Sequence, residues 1–369
     1  MGTIRLFIGG DLCLCGPVKG DILTADADLR IINLEGPVTG ARRKTLAKPG
    51  VYGNLRQHND IEKIMTRDRW DVALLANNHI TDFGQEGLED TLSFLDKRGI
   101  AHLGAGIGFE NAYRPLIIEK NGVKVGLVNG AEGQIGCMKN AESAYGYAWL
   151  LHTEMTKTIA RLRAECDLVI VLSHAGLEFF DLPLPEWREI YRSFIDAGAD
   201  AVVATHTHVV QGRETYKGKP IYYSLGNFFF NLPSANDPEW FSGMGVTLTF
   251  DAERRTVNSE ENFFSFDNDR MVLQPSFAAR FAERSALLSE ERKKEYLTRV
   301  NDHCGDLWRT RYRPPLSFGP LSLLKKIRRM IINRSMKDGG LLLYNFMTTE
   351  SHRFAIERAL RRDLFDESA

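Results

Sequence analysis

Val202-Val203-Ala204-Thr205-His206-Thr207-His208 is a short β-branched run that stops in two histidines. The same grammar recurs along the chain. Ile8-Gly9-Gly10 stops in Asp11, Ile31-Ile32-Asn33-Leu34 in Glu35-Gly36, and Leu74-Leu75-Ala76 in Asn77-Asn78-His79. Val171-Leu172-Ser173 stops in His174, and Tyr223-Ser224-Leu225-Gly226 in Asn227. Continuous apolar runs of this length suit strands buried on both faces. They predict strands at 4–8, 29–32, 72–75, 123–128, 168–172, 201–203 and 220–223. Helical spacing lies between them, at 86–98 (Leu88, Leu92, Leu95), at 153–165, and at 186–197 after Pro183 and Pro185. The alternation predicts a layered α/β domain. Periodicity alone does not separate one doubly wound sheet from two stacked sheets.

Residues at the carboxyl ends of strands share an edge, where α/β folds place their sites. That edge would gather one Asp, one Glu, two or three Asn and four His: Asp11, Glu35, Asn78, His79, His174, His206 and His208, with Asn33 and Asn227 beside them. Oxygen and nitrogen donors of this kind suit Mn, Fe or Zn. Two carboxylates and several imidazoles suffice for two divalent cations sharing a carboxylate, the arrangement that serves displacement at phosphorus. His58, His102, His152, His303 and His352 stand outside the pattern and read as structural.

These motifs resemble the CapA family of capsule-biosynthesis proteins. They are Gly10-Asp11, Asn33-Leu34-Glu35-Gly36, Ala76-Asn77-Asn78-His79, His174-Ala175-Gly176-Leu177-Glu178, Gly198-Ala199-Asp200 through His206-Thr207-His208-Val209-Val210-Gln211-Gly212, and Tyr223-Ser224-Leu225-Gly226-Asn227-Phe228. That family is linked to poly-γ-glutamate synthesis and belongs to the calcineurin-like metallophosphatase superfamily. The resemblance implies a sandwich of two mixed β-sheets flanked by helices. It implies Asp11 and His208 as ligands of one metal, Glu35 as the bridge, Asn78 and His206 as ligands of the other, and His174 as a further metal ligand. It implies that His79 aids the leaving group. The chain departs from the superfamily twice. Cys13 stands where Asp-x-His has its histidine, and Glu35 where the bridge is usually Asp. A Cys13 thiolate would still serve Zn; an inert Cys13 leaves the Asp11 metal short of a ligand.

Around the site the residues leave alternatives open. Glu178 orients a ligand, faces substrate, or is a solvated loop carboxylate. Asn33, Asn77 and Asn227 hold loops. Tyr145, Tyr147, Trp149, Phe179 and Phe180 wall a pocket or belong to the core. Arg42, Arg43, Lys44 and Lys48 neutralise an anionic substrate or merely face water.

The chain has 369 residues, 43% hydrophobic and 26% charged, which excludes wholesale disorder. A net charge of −1 excludes a general polyanion binder. The charge is uneven, however. Residues 280–369 carry 19 basic and 12 acidic groups, and residues 1–279 carry 28 and 36. Together with the loss of pattern at 251–258 and around 250–275, this predicts a domain over 1–270 and a basic helical extension over 271–369. Within 307–337, the stretch 321–334 has helical period, with Leu323, Leu324, Ile327, Met330 and Ile331 on one face and Lys325, Lys326, Arg328 and Arg329 on the other. Such a helix docks on the domain or lies on an anionic membrane. No nucleic-acid fold is recognisable, so nucleic acid is not an expected partner. Five scattered cysteines make no disulfide framework. With no signal-peptide pattern and no membrane-spanning run, the expected location is the cytoplasm, or its side of the membrane as a peripheral protein.

The expected function is a binuclear metal-dependent hydrolase, acting on a phosphoester or anionic polymer in capsule, poly-γ-glutamate or cell-envelope synthesis. A γ-glutamyl amide hydrolase or transferase at the same site is one alternative. A non-catalytic accessory that holds a polyanion or the membrane is the other.

Overall fold

The computed structural model describes residues 2–20, 22–23, 25–44, 53–233, 235, 237–267, 270–313 and 336–365. Its first elements are β1 (Thr3–Cys13), β2 (Leu29–Leu34), α1 (Ile61–Ile64), β3 (Val72–Leu74), α2 (Gly84–Asp96), β4 (Ala101–Leu103), β5 (Ala105–Ile107), α3 (Phe109–Ala112), β6 (Leu116–Lys120), β7 (Val123–Ala131), β8 (Cys137–Met138) and β9 (Tyr145–Ala148). Then come α4 (Thr153–Glu165), β10 (Leu168–His174), α5 (Pro185–Asp196), β11 (Ala201–Thr205), β12 (Arg213–Tyr216), β13 (Lys219–Tyr222), β14 (Asn227–Phe230), β15 (Ser242–Asp251), β16 (Thr256–Phe266) and β17 (Met271–Leu273). Helices α6 (Ala278–Ala286), α7 (Lys293–Leu307), α8 (Met336–Thr348) and α9 (Glu350–Phe365) follow.

Two mixed sheets stack face to face. The first runs β17-β16-β15-β1-β2-β3-β4, with β14 also paired to β1. The second runs β12-β13-β11-β10-β7-β6. A small third sheet joins β5, β9 and β8. Between the two large sheets lie Ile4, Leu6, Ile8, Ile31, Val72 and Leu74 from one side, and Val125, Leu127, Ile170, Leu172 and Val203 from the other, all buried. Alternate residues of the same strands face outward. Phe7, Ile32 and Ala73 pack with Leu88 and Leu95 of α2, while Val169, Val171 and Val202 pack with Ile159 and Leu162 of α4 and Trp187 and Tyr191 of α5. This two-faced burial explains the continuous apolar runs and fits the sandwich rather than a single sheet.

Local signals match the helices. The His152 side chain accepts the Glu154 amide at the start of α4, and Met155, Ile159 and Leu162 form its buried stripe. Pro185 opens α5, where its missing amide hydrogen costs nothing. The break expected at 251–258 is instead the turn and first residues of the β15–β16 hairpin. Most of β16 alternates between exposed and half-buried residues, so its solvent face reads as polar sequence. Tyr296 and Val300 of α7, Phe346 of α8 and Ala355 of α9 join the cluster that covers the second sheet. The stretch 321–334 and Lys48 lie outside the described residues. Among the described residues, no helix is long and apolar enough to cross a membrane.

Candidate metal centre

Parallel pairing brings the strand ends level. In the first sheet Asp11 pairs in register with Asn33 of β2 and Asn227 of β14. In the second sheet His174 lies beside Thr205 of β11 and Ala131 of β7. A close approach fixes the Asp11 corner. The Asp11 amide donates to Gly226 O at 3.1 Å, and a Cβ on Gly10 would stand 2.0 Å from that oxygen. His206 and His208 both take positive φ, 96° and 60°. Such strain costs on the order of 1–3 kcal/mol per residue and clusters at functional sites.

The donors converge on Glu35. Its Oε1 lies 4.0 Å from His79 Nε2, 3.9 Å from His174 Nε2 and 4.0 Å from His208 Nε2. Ligand atoms of Asp11, Glu35 and His208 all lie within 4.8 Å of one another. On the other side, His174 Nε2 stands 3.1 Å from Asn78 Oδ1 and 3.0 Å from His206 Nδ1. Donors held at about 2.1 Å from one ion lie roughly 3 to 4 Å apart. The spacing of Asp11, Glu35 and His208 therefore fits a divalent cation. All these side chains are buried, His79 being the most exposed at 6%.

The outer nitrogens set the tautomers. His79 Nδ1 meets Asp82 Oδ2 at 2.7 Å. His208 Nδ1 meets Asn227 Oδ1 at 2.9 Å, the amide being oriented by its donation to Trp240 O. His174 Nδ1 faces Thr205 Oγ1 at 3.0 Å and Asp11 Oδ1 at 3.6 Å. His206 Nε2 meets Glu132 Oε1 at 2.8 Å. An acceptor lies beside the outer nitrogen of His174, His206 and His208, an arrangement that favours the tautomer whose inner nitrogen can offer a lone pair to a cation. Asn33 Nδ2 donates to Asp11 Oδ1 at 2.7 Å, and the His206 amide donates to Asp11 Oδ2 at 3.0 Å.

Charge follows geometry. Burial would raise the Asp11 carboxyl, but His174 and His208 with the His206 amide outweigh it and hold it at about 2. Burial and the neighbouring His206 push His174 down to about 4. Burial also lowers His208, whereas for His206 the bond and charge of Glu132 overcome burial and raise it. The ionised form of Asp11 and the neutral forms of His174 and His208 are thus favoured, the states metal ligation requires.

Other expected residues fall at varying removes. Cys13 is buried outside the Asp11–Glu35–His208 cluster, its Sγ 3.6 Å from Cys15 Sγ. Burial, then Cys15 and Glu35, push its thiol far up, so the protonated form is favoured. Glu178 is half-buried, and His206, His208, His352 and Arg311 overcome the effect of burial to hold its carboxyl at about 2. Asn77 ties two loops, donating to Leu34 O and accepting from the Gly36 and His79 amides. Tyr147 and Phe180 are core residues. Phe179 is 36% exposed and stacks on His208. Arg43, Lys44 and Tyr145 line a cavity of about 340 Å³ with Phe83 and Gln85. His58, His102, His152, His303 and His352 each bond or stack locally.

Three contributors were not anticipated. Asp82 holds His79. Gln57 donates to Glu35 O at 2.7 Å and accepts from the Leu14 amide. Glu132 holds His206, and the strand-end pattern would have found it, since β7 runs straight into it as Gly130-Ala131-Glu132.

A family model described as "Bacterial capsule synthesis protein PGA_cap" matches residues 15–232. "Capsule biosynthesis protein CapA" of Bacillus anthracis is 30% identical over 203 residues, 54% of this chain and 49% of that protein. "PGA biosynthesis protein CapA" of Bacillus subtilis (strain 168) is 31% identical over 203 residues, 54% of this chain and 52% of that protein. The chain thus spans about half the length of these curated relatives. A solved structure, that of the 5′-nucleotidase precursor from Thermus thermophilus, overlaps with a TM-score of 0.40 at 15% identity, over 84% of this chain and 67% of that one.

Proposed function

The chain belongs to the bacterial capsule synthesis protein family PGA_cap, and from that premise we propose that it is a binuclear metal-dependent hydrolase, cleaving a phosphoester in capsule, poly-γ-glutamate or cell-envelope polymer synthesis. The observation that carries this reading is the near-equal distance of Glu35 Oε1 from the Nε2 atoms of His79, His174 and His208. Asp11, Glu35 and His208 would hold one divalent cation, and Glu35, Asn78, His174 and His206 the other. Mn, Fe or Zn at these positions supplies Lewis acidity and acidifies water. His79 keeps Nε2 toward the cluster. Asp82, on its Nδ1, stabilises the imidazolium that donates a proton to the leaving oxygen. A phosphoester is favoured over a γ-glutamyl amide because its displacement spreads charge over oxygens that two cations can hold. The test is turnover of an aryl phosphomonoester or phosphodiester with added Mn. Absence of turnover with every metal tried, together with metal binding unchanged in Glu35→Ala, refutes the proposal.

The Cys13 environment favours a second reading. A protonated thiol leaves the Asp11 position one ligand short of the superfamily pattern, as befits a non-catalytic accessory that holds a polyanion or an anionic membrane through the basic stretch 307–337. Co-sedimentation with poly-γ-glutamate or anionic liposomes distinguishes the two. Binding lost on deleting 314–335, with no hydrolysis, supports the accessory; binding indifferent to the deletion argues against it.

A further inference from the structure

The carboxylate on His206 belongs to a chain of contacts that reaches residues far outside the family match. Glu132 Oε1 meets His206 Nε2 at 2.8 Å. Its other oxygen, Oε2, accepts the Ser351 amide at 3.0 Å and the Ser351 hydroxyl at 2.7 Å. Ser351 is the second residue of α9, where a backbone N–H has no partner within the helix. One carboxylate therefore caps the N-terminus of α9 and grips a ring of the metal centre. The neighbours of Ser351 lock the junction. Gly133 N donates to Glu350 Oε2, and Trp149 Nε1 donates to Glu350 Oε1 at 3.2 Å. Trp187 Nε1 donates to Ser351 Oγ at 2.9 Å, and His352 Nδ1 pairs with Tyr312 OH at 2.9 Å. Glu132, Glu350 and Ser351 are each no more than 2% exposed. Burial at this level makes the bonds costly to break and so constrains the junction's geometry.

We propose that Glu132, anchored by Ser351 of α9, is a positioning residue that presents His206 Nδ1 to one metal position, so that the C-terminal helix forms part of the metal centre. The inference rests on the metal reading given under Proposed function and extends it to residues beyond the 15–232 match. The carboxylate 2.8 Å from Nε2 favours a proton there, which leaves Nδ1 as the donor atom, and Nδ1 is the atom that faces His174 Nε2 at 3.0 Å. Without the carboxylate the ring is free to turn and to exchange tautomers. Loss of such an outer partner typically weakens metal affinity by about 10- to 100-fold.

The test titrates Co²⁺ into the metal-stripped full-length chain, following heat and visible absorption together, with thermal melts as a check on folding. The wild type is expected to take two cations. Glu132→Ala is expected to weaken one of them by about 10- to 100-fold, to leave the other unchanged, and to alter the absorption band of the weakened position only. Glu132→Gln, which keeps an acceptor oxygen, is expected to recover part of the loss. Ser351→Ala is expected to show a smaller loss at the same position. Wild-type affinities and spectrum in Glu132→Ala overturn the inference, as does an equal loss at both positions that tracks a fall in melting temperature. If Glu132→Ala does not fold, Ser351→Ala decides, and wild-type binding there overturns the coupling to α9. A wild-type chain that takes up no Co²⁺ removes the metal reading itself, and this inference with it.

Discussion

Glu35→Gln is the sharpest perturbation of the site, because in the proposed function Glu35 would serve both cation positions. Gln has the same shape but lacks the charge that bridges. Cations that bind only the folded state stabilise it by mass action, by about 2.7 kcal/mol at a free concentration roughly 100 times Kd. Unfolding entropy of about 2.1 cal/mol/K per residue, over 369 residues, gives roughly 0.8 kcal/mol/K. Each cation should then raise Tm by about 3.5 °C, and two by about 7 °C. The assay is differential scanning calorimetry of the chelator-treated protein, with and without Mn. The wild type should show the full shift and Glu35→Gln almost none. The chelated variant should melt no lower than the chelated wild type, since a buried charge close to Asp11 has been removed. A wild-type shift retained in Glu35→Gln refutes the bridging role.

His79→Asn should lower kcat on an aryl phosphoester by about 10² to 10⁴ while leaving the Mn-dependent Tm shift intact; loss of the shift would make His79 a ligand instead. Glu214 accepts from Arg188, Arg192 and Tyr223, and Glu214→Ala strands the buried Arg188 charge at a cost of about 3–5 kcal/mol, seen as a lower midpoint in urea. Burial would raise the Glu214 carboxyl, but Arg192, Tyr223 and Arg188 outweigh it and hold it below its ordinary value. Its contribution is therefore complete above the unfolded-state pKa and lost as pH falls through the folded one, so Glu214→Gln should flatten the acid limb of the stability profile. Cys13, buried and with its thiol pushed up, should resist alkylation at pH 8 in the native protein; modification of Cys13 before unfolding, read by peptide mass spectrometry, contradicts that.

The strands at 4–8, 72–75 and 168–172 were legible because burial on both faces leaves an unbroken apolar run. That same burial hid how many sheets there were, since a strand sandwiched between helix and sheet has the same composition as one sandwiched between two helices. The β15–β16 hairpin was obscured because β16 shows its polar face to solvent. The cluster around Glu35 was legible because each donor ends a strand, and parallel pairing puts those ends on one edge. Glu132 obeys the same rule, but Asn129-Gly130 interrupts the apolar run of β7 before the strand reaches it. Ser351 gives no such signal: it meets Glu132 across 219 residues of chain, through a helix docking that local pattern does not encode.

The most direct test of a cation pair around Glu35 is a crystal of the Mn-soaked protein measured at the Mn absorption edge. Two anomalous peaks about 3.5–4 Å apart, one beside Asp11 and His208 and the other beside Asn78, His174 and His206, are the expected result. A single peak away from Glu35, or no peak at a Mn concentration that saturates binding in solution, contradicts it.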